Sequence, residues 1–141
     1  MADDLATLIR LAKLQLDEKR KVLAAIIAEE DRVNGQKTAL LEKLEAEKKA
    51  SVTDFEADLS RGSFISASLK KRDQFDAQLR QLAKLIEAAQ EDMRQAFEEV
   101  KRYEIAKEAR DLKAEKELQR REGKELDEIG GDRHRRGKAK K

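Results

Sequence analysis

The residues of this chain that could carry out catalysis are few and poorly placed for it. The single histidine, His134, lies between Arg133 and Arg135, and we interpret it as a solvated side chain. No cysteine is present to act as a nucleophile or thiolate ligand. The sequence also has no glycine-rich phosphate-binding motif and no metal-ligand spacing. These absences predict a protein that is not an enzyme and has no cofactor, no bound metal and no small-molecule substrate.

Carboxylates are abundant, but they alternate with lysine and arginine, as in EEDR (29–32), EKLEAEKK (42–49) and EEVKR (98–102). Such alternation is typical of ion pairs on solvent-facing helices. A pair of helices also offers no cavity that would exclude water and raise the pKa of a carboxyl group. The functional residues are therefore expected on surfaces that contact other proteins.

Charge is distributed unevenly along the chain. The net charge is only +2, yet residues 130–141 contain six Lys or Arg and one Asp. We predict a flexible basic tail there, which solubilises the chain or touches an acidic protein surface. Nucleic acid is not expected as a partner, since no aromatic residue is interleaved for base stacking. The N-terminal residues show no long apolar stretch, so we expect a cytoplasmic protein.

The elements that position these surfaces are long helices. Charged residues make up 44% of a chain with no proline, a composition typical of coiled coils. Apolar residues recur with alternating spacings of four and three, which is the heptad seam of a coiled coil. In the first half the seam positions are Leu5, Ile9, Ala12, Leu16, Lys19, Leu23, Ile26, Glu30, Val33, Lys37, Leu40 and Leu44. In the second half they are Phe75, Leu79, Leu82, Ile86, Ala89, Met93, Ala96, Val100 and Tyr103.

These two seams predict an all-α fold, a two-helix antiparallel coiled-coil hairpin over residues 1–129. If the chain folds back on itself, Leu23 faces Tyr103 and Leu44 faces Leu82, a reflection about Ser63. We therefore expect the turn at about 60–66. There Gly62 would end the first helix, and Ser63 or Ser66 would cap the second.

The N-terminal segment has more apolar residues than one seam can bury. Leu8, Leu11 and Leu14 lie beside or opposite the seam. They could contact another protein, support self-association, or pack against the last turns of the second helix.

Three segments have a recognisable pattern: the opening LATLIRLAKLQLDEKRKVLA (5–24), the stretch GSFISASLKKRDQFDAQL (62–79), and KELDEI (124–129) followed by basic residues. Together they resemble the flagellar FliJ family. The resemblance implies an antiparallel coiled coil similar to the central stalk of rotary ATPases. It also implies a non-enzymatic component of the flagellar type III export apparatus, peripherally associated with the cytoplasmic face of the inner membrane at the flagellar base.

The resemblance implies partners as well. They are the export ATPase hexamer, whose assembly and activity the family promotes, the cytoplasmic domain of the export gate, and export chaperones. By analogy with rotary stalks, the end that carries both termini would enter the ATPase ring, through Leu5, Leu8, Leu11, Leu14, Leu112 and Leu118. Contact with the gate would involve Gln36, Leu40, Phe75 and Leu79. Phe75 and Leu79 also belong to the seam, so helix packing alone would explain them.

Two other functions fit the same residues. One is a structural tether or scaffold whose helices pair with another chain. The other is a coiled coil that binds nucleic acid through the basic tail. The stalk interpretation expects a protein that is monomeric alone, whereas the tether expects a dimer.

Overall fold

The computed structural model of the chain describes residues 4–50 and 55–139, which form two helices and no strand. Helix α1 spans Asp4–Lys49 and helix α2 spans Phe55–Ala139. The prediction of an all-helical chain with two long helices is confirmed.

Local interactions explain why such polar segments are helical. Glutamate pairs with the arginine three residues later at several points, including Glu29 with Arg32 and Glu91 with Arg94. In these two pairs the arginine Nε lies 2.9 and 2.8 Å from a carboxylate oxygen. Pairs at this spacing each stabilise a helix by about 0.2–0.5 kcal/mol. They are numerous enough to support helices with a narrow apolar face.

Charges at the helix ends favour the same structure. Lys48 and Lys49 lie in the last turn of α1, and Glu56 and Asp58 lie in the first turn of α2. Cations at a C-terminus and anions at an N-terminus interact favourably with the helix dipole. Both helix ends that flank the connection are therefore electrostatically stabilised.

The chain divides into two compact units. The central unit comprises residues 14–97, and the terminal unit comprises residues 1–13 and 98–141. In the central unit the core contains Leu16, Val33, Leu44, Ala89 and Ala96. In the terminal unit Ala12 and Val100 are buried. Every one of these residues is a predicted seam position, so the heptad pattern identifies the packed face of both helices.

The seam also holds at its less buried positions. All nine predicted positions of α2 are buried or half-buried, and Lys19 is the one predicted position of α1 that is exposed. Burial of a Val or Leu side chain contributes about 1.5–3 kcal/mol, so these contacts outweigh the surface ion pairs.

The predicted turn at 60–66 is wrong. Gly62, Ser63 and Ser66 lie inside α2, which begins at Phe55. Gly62 has no positive φ, and a Cβ added there would meet nothing within 4 Å, so neither backbone nor packing requires glycine. The helices are instead separated after Lys49, and residues 51–54 lie outside the described part.

Contacts near this connection fix the pairing of the helices. In the central unit, the guanidinium of Arg61 donates a hydrogen bond to the backbone carbonyl of Lys48. Lys37 pairs with Asp76 at 2.6 Å. The helices therefore run antiparallel within this unit. The reflection about Ser63 would have placed Ala89 opposite Lys37, which is about two heptads too far along α2.

A heptad seam explains the size of this error. Shifting one helix by whole heptads brings seam positions opposite seam positions again, so apolar spacing alone cannot select the register. The sequence TDFE (53–56) matches the Ser/Thr-x-x-Glu pattern of helix N-termini, and it could have located the start of α2.

Two other segments are helical although they contain glycine. Helix α1 continues through Asn34 and Gly35. The predicted flexible tail also differs, because α2 continues as helix through Gly130 and Gly131 to Ala139. Residues 140 and 141 lie outside the described part. The chain has no proline to break the helix, and each glycine costs only about 1 kcal/mol of helix stability relative to alanine. The ion pair between Arg135 and Asp132, at 2.6 Å, offsets part of this cost.

The helical setting of Gly62 leads to a stability prediction. Gly62→Ala should raise the free energy of unfolding by about 1 kcal/mol, because alanine is the better helix former and the added methyl meets open space. Urea denaturation followed by circular dichroism measures this. Gly35→Ala is the matched control in α1 and should behave alike. A loss of stability confined to Gly62→Ala would contradict a connection that lies between Lys49 and Phe55.

The Lys37–Asp76 pair leads to a prediction about pH. Its hydrogen bond from Lys37, with the nearby charges of Lys37, Arg72 and Arg80, lowers the pKa of Asp76 from the ordinary 3.8. A carboxyl group with a lowered pKa stabilises the fold above the ordinary value, and this contribution is lost as the pH falls through the lowered one.

Asp76→Asn should therefore reduce the drop in melting temperature between about pH 5 and pH 2. Asp73→Asn is the control, since Asp73 pairs with the adjacent Arg72, at 3.1 Å, and with no residue of α1 among those that the structure describes. An equal pH dependence in wild type and Asp76→Asn would refute a stabilising role for the pair.

Candidate interaction surfaces

The terminal unit presents most of the leucines expected to contact a partner. We call Leu5, Leu8, Leu11, Leu112 and Leu118 the leucine surface. Its members other than Leu5 are between 40% and 56% exposed, and Leu5 is half-buried. Scattered exposed leucines are ordinary on soluble proteins, so their number within one short unit is the informative feature.

The leucine surface is built on both helices. Lys13 of α1 pairs with Glu104 of α2 at 3.8 Å, which holds the first turns of α1 beside α2. Leu112 lines an open groove together with Ile9. Leu8 and Leu11 lie three residues apart on one side of α1, and Leu118 lies six residues, or about 9 Å, beyond Leu112. The structure thus places these leucines in the same unit without gathering them into one pocket.

Acidic side chains surround the groove at this surface. Glu104, Glu108, Asp111 and Glu115 line it, with Lys13 and Lys107 as the only cations among its lining residues. A partner that covers Ile9 and Leu112 would therefore also meet a negative rim, which favours a basic partner segment.

Leu14, the sixth predicted leucine, belongs to the central unit. It is 56% exposed. More than half of its surface is therefore available to a partner.

The central unit brings together three of the four residues predicted to contact the export gate. Gln36, Leu40 and Phe75 line one open groove, together with Ala39, Lys43 and Lys71. We call this the Phe75 groove. Leu79, the fourth residue, is half-buried one turn farther along α2 and does not line it. Residues far apart in sequence thus converge on one surface feature.

The geometry of the Phe75 groove follows from the helix pairing. The Lys37–Asp76 ion pair joins the residues that directly follow Gln36 and Phe75, and therefore sets the level at which the two helices meet. Leu40 and Phe75 are only half-buried, so they pack against the opposite helix and still reach the surface. Lys43 and Lys71 give the groove a positive rim. An acidic partner surface would suit it.

Sequence reasoning missed the exposed apolar residues at the start of α2. Phe55 and Leu59 are 75% and 59% exposed, and all residues from 55 to 60 are exposed. Their spacing of four places both side chains on one face of the helix. The sequence shows this apolar spacing. The exposure of the two side chains was not expected, because the turn was predicted after these residues.

The described residues contain no group of three His, Cys, Asp or Glu side chains that could hold a metal ion. Within the same residues, no helix is both long and apolar enough to cross a membrane.

Comparison with known proteins supplies the family. Residues 1–139 match the family model described as "Flagellar FliJ protein". A search of curated proteins and a search of solved structures found no significant match. Because the family match extends over almost all of the 141 residues, the chain belongs to the flagellar FliJ family, a non-catalytic component of the flagellar export apparatus.

Proposed function

We propose that this protein is the stalk-like coiled coil that binds the export ATPase ring, promotes its assembly and activity, and links it to the export gate. The observation that carries the proposal is the family match over residues 1–139. A pair of helices that buries one seam and leaves leucines exposed is well suited to a protein that works through its surfaces.

Contact with the ATPase ring is assigned to the leucine surface and to Leu14. Leu8, Leu11, Leu112 and Leu118 are each between 40% and 56% exposed, so all four have surface available for burial. Burying an exposed leucine in a partner yields up to about 1.5–3 kcal/mol. Two or three such contacts are enough to make ring binding depend on this surface.

Contact with the gate is assigned to the Phe75 groove, with Leu79 beside it. The groove supports this assignment because it joins Gln36, Leu40 and Phe75 in one place. Phe75 supplies an aromatic side chain, and Lys43 and Lys71 supply charge at the rim. This combination of an apolar centre and a charged rim is common in protein interfaces.

The protein would act in the cytoplasm, peripherally at the inner membrane below the flagellar base. Export chaperones are further partners of the proposed function. Nucleic acid is not among them, since the basic end of α2 carries no aromatic side chain for stacking.

The role of the leucine surface can be measured by ATPase stimulation. The double variant Leu8→Asp/Leu11→Asp should abolish stimulation of the purified export ATPase, because carboxylates cannot be buried unpaired in the ring. Its helicity should change little, since both side chains are already exposed.

Leu85→Asp is the matched control, because Leu85 is 53% exposed but belongs to neither proposed surface. It should stimulate like the wild type. Full stimulation by the Leu8/Leu11 variant would exclude insertion of this surface into the ring.

The role of the Phe75 groove can be measured by calorimetric titration with the cytoplasmic domain of the gate. Gln36→Ala/Lys71→Glu should weaken binding at least about tenfold, because one change removes a hydrogen-bonding side chain and the other reverses a rim charge. Both residues are exposed, so the melting temperature should be unchanged. Lys70→Glu alters a neighbouring exposed lysine that does not line the groove and should bind normally. Equal affinity of all three proteins would remove the groove from the gate interface.

A further inference from the structure

A second heptad pattern follows α2 through the terminal unit, at positions that are exposed except for Gly123. Its positions alternate in spacings of four and three residues: Ile105, Ala109, Leu112, Lys116, Gln119, Gly123 and Leu126. Among these positions Leu112 lines the open groove that Ile9 and Lys13 of α1 also line. Ile105, Leu112 and Leu126 are 65%, 50% and 69% exposed. We call these seven residues the second seam. Ile105 and Leu112 are seven residues apart, and Leu126 follows two heptads after Leu112 with Gln119 between them, which matches an interrupted coiled-coil seam that lacks its partner.

The second seam lies away from the seam that packs on α1. At 100° per residue, Ile105 is about 160° around α2 from Tyr103 and from Lys107, both of which are half-buried. In addition, Lys13 pairs with Glu104. Counting nine residues back along α1 to Asp4, where the helix starts, and nine residues forward along α2 places the start of α1 beside about residue 113. Among residues 114–137, Glu117 and Gly123 are half-buried and the others are exposed. A partner helix therefore has access to the part of this face that follows residue 113.

Over residues 108–120, charges on the two flanks of the second seam have opposite signs. One flank is acidic. It consists of the residues directly before Ala109, Lys116 and Gly123, which are Glu108, Glu115 and Glu122. On the other flank, the positions directly after Leu112 and Gln119 are Lys113 and Arg120. In heptad terms the glutamates occupy position g and the cations occupy position e, the positions that set partner choice and orientation.

Several of these flanking charges have no partner within the chain. In the part of the chain that the structure describes, Glu108, Glu115 and Lys113 make no ion pair or hydrogen bond. By contrast, Arg110 pairs with Asp111 at 3.2 Å and Arg120 with Glu117 at 2.7 Å. Glu108 and Glu115 also form the rim of the groove that contains Leu112.

We propose that the second seam pairs in parallel and in register with the second seam of another copy of this chain. In a parallel pair, position g of one helix meets position e of the next heptad on the other helix. Glu108 then meets Lys113 of the second copy, and Glu115 meets Arg120 of the second copy. An antiparallel pair would instead bring g opposite g, so that glutamates would face glutamates. The flank charges thus select a second copy as occupant and a parallel orientation.

The same residues set the strength of this pairing. Lys116 and Gln119 are polar seam positions, which specify register at a cost in stability. Glu122 would meet Asp127 of the second copy, which is a contact between like charges. The favourable charge pairs therefore end near Gly123. The result is a weak dimer whose association depends on concentration and on salt. At low concentration the chain remains a monomer, so the expectation of a monomer applies only there.

Sedimentation equilibrium of the full-length protein tests this inference without any ATPase or gate protein. In low salt the mass should rise from 16.1 kDa towards twice that value between micromolar and millimolar concentrations, and high salt should reduce the rise. A monomer at every concentration in low salt would overturn the proposal, and this outcome says nothing about binding to the ATPase ring.

Charge reversal tests the flanks. Glu108→Lys/Glu115→Lys and Lys113→Glu/Arg120→Glu should each weaken association at least about tenfold, because like charges then meet at every g–e contact. An equimolar mixture of the two variants should associate again, since opposite charges are restored between unlike chains. Helicity measured by circular dichroism should be retained in both. Association that is unchanged by both reversals, or not restored by mixing, would contradict the proposed contacts.

Cysteine cross-linking tests the orientation, because the chain has no cysteine of its own. Ala109→Cys and Gly123→Cys, made separately, should both form disulfide-linked dimers on oxidation, since each position meets itself in a parallel pair in register. Glu117→Cys lies outside the second seam and should cross-link poorly. Cross-linking at only one of the two seam positions would indicate an antiparallel pair and would overturn the proposal.

Discussion

The packing of one apolar seam of α1 against one apolar seam of α2 is the interaction on which this structure depends. Its members are small and medium-sized, such as Ala12, Val33 and Ala96. Apolar side chains on the other faces of the helices, such as Leu8 and Leu126, are exposed, so outside this seam the described residues are held mainly by local ion pairs and by helix propensity. A partner can recognise the side chains that the seam leaves exposed, together with half-buried seam residues such as Leu40 and Phe75 that still reach the surface.

Sequence reasoning identified this face but not its register. Apolar spacing reports which residues face the other helix, and it predicted the buried positions almost completely. It does not report which level of one helix meets which level of the other, because heptads repeat. That information came from single polar contacts, above all Lys37 with Asp76 and Arg61 with the Lys48 carbonyl. Such contacts have no periodic signature in a sequence where almost half of the residues are charged.

The same distinction applies to the candidate surfaces. The exposed leucines near the N-terminus could be expected because one seam cannot bury them all. The convergence of Gln36, Leu40 and Phe75 was implied only by family resemblance, and the helix pairing supplies its physical basis. Phe55 and Leu59 were missed since their exposure depends on where α2 begins. Surfaces that follow from the apolar spacing along one helix could be predicted from the sequence. Surfaces that depend on the register between α1 and α2 could not.

The position of the connection has a consequence for how the chain folds. Lys48 and Arg61 are separated by only 13 residues, whereas the Lys13–Glu104 contact joins residues that are 91 positions apart. The entropy lost on closing a loop grows with its length, so contacts beside the connection form at the lowest cost. Pairing should therefore nucleate there and extend towards the termini, and opening should begin at the termini. The leucines assigned to partner binding would then lie in the part of the fold that closes last and opens first.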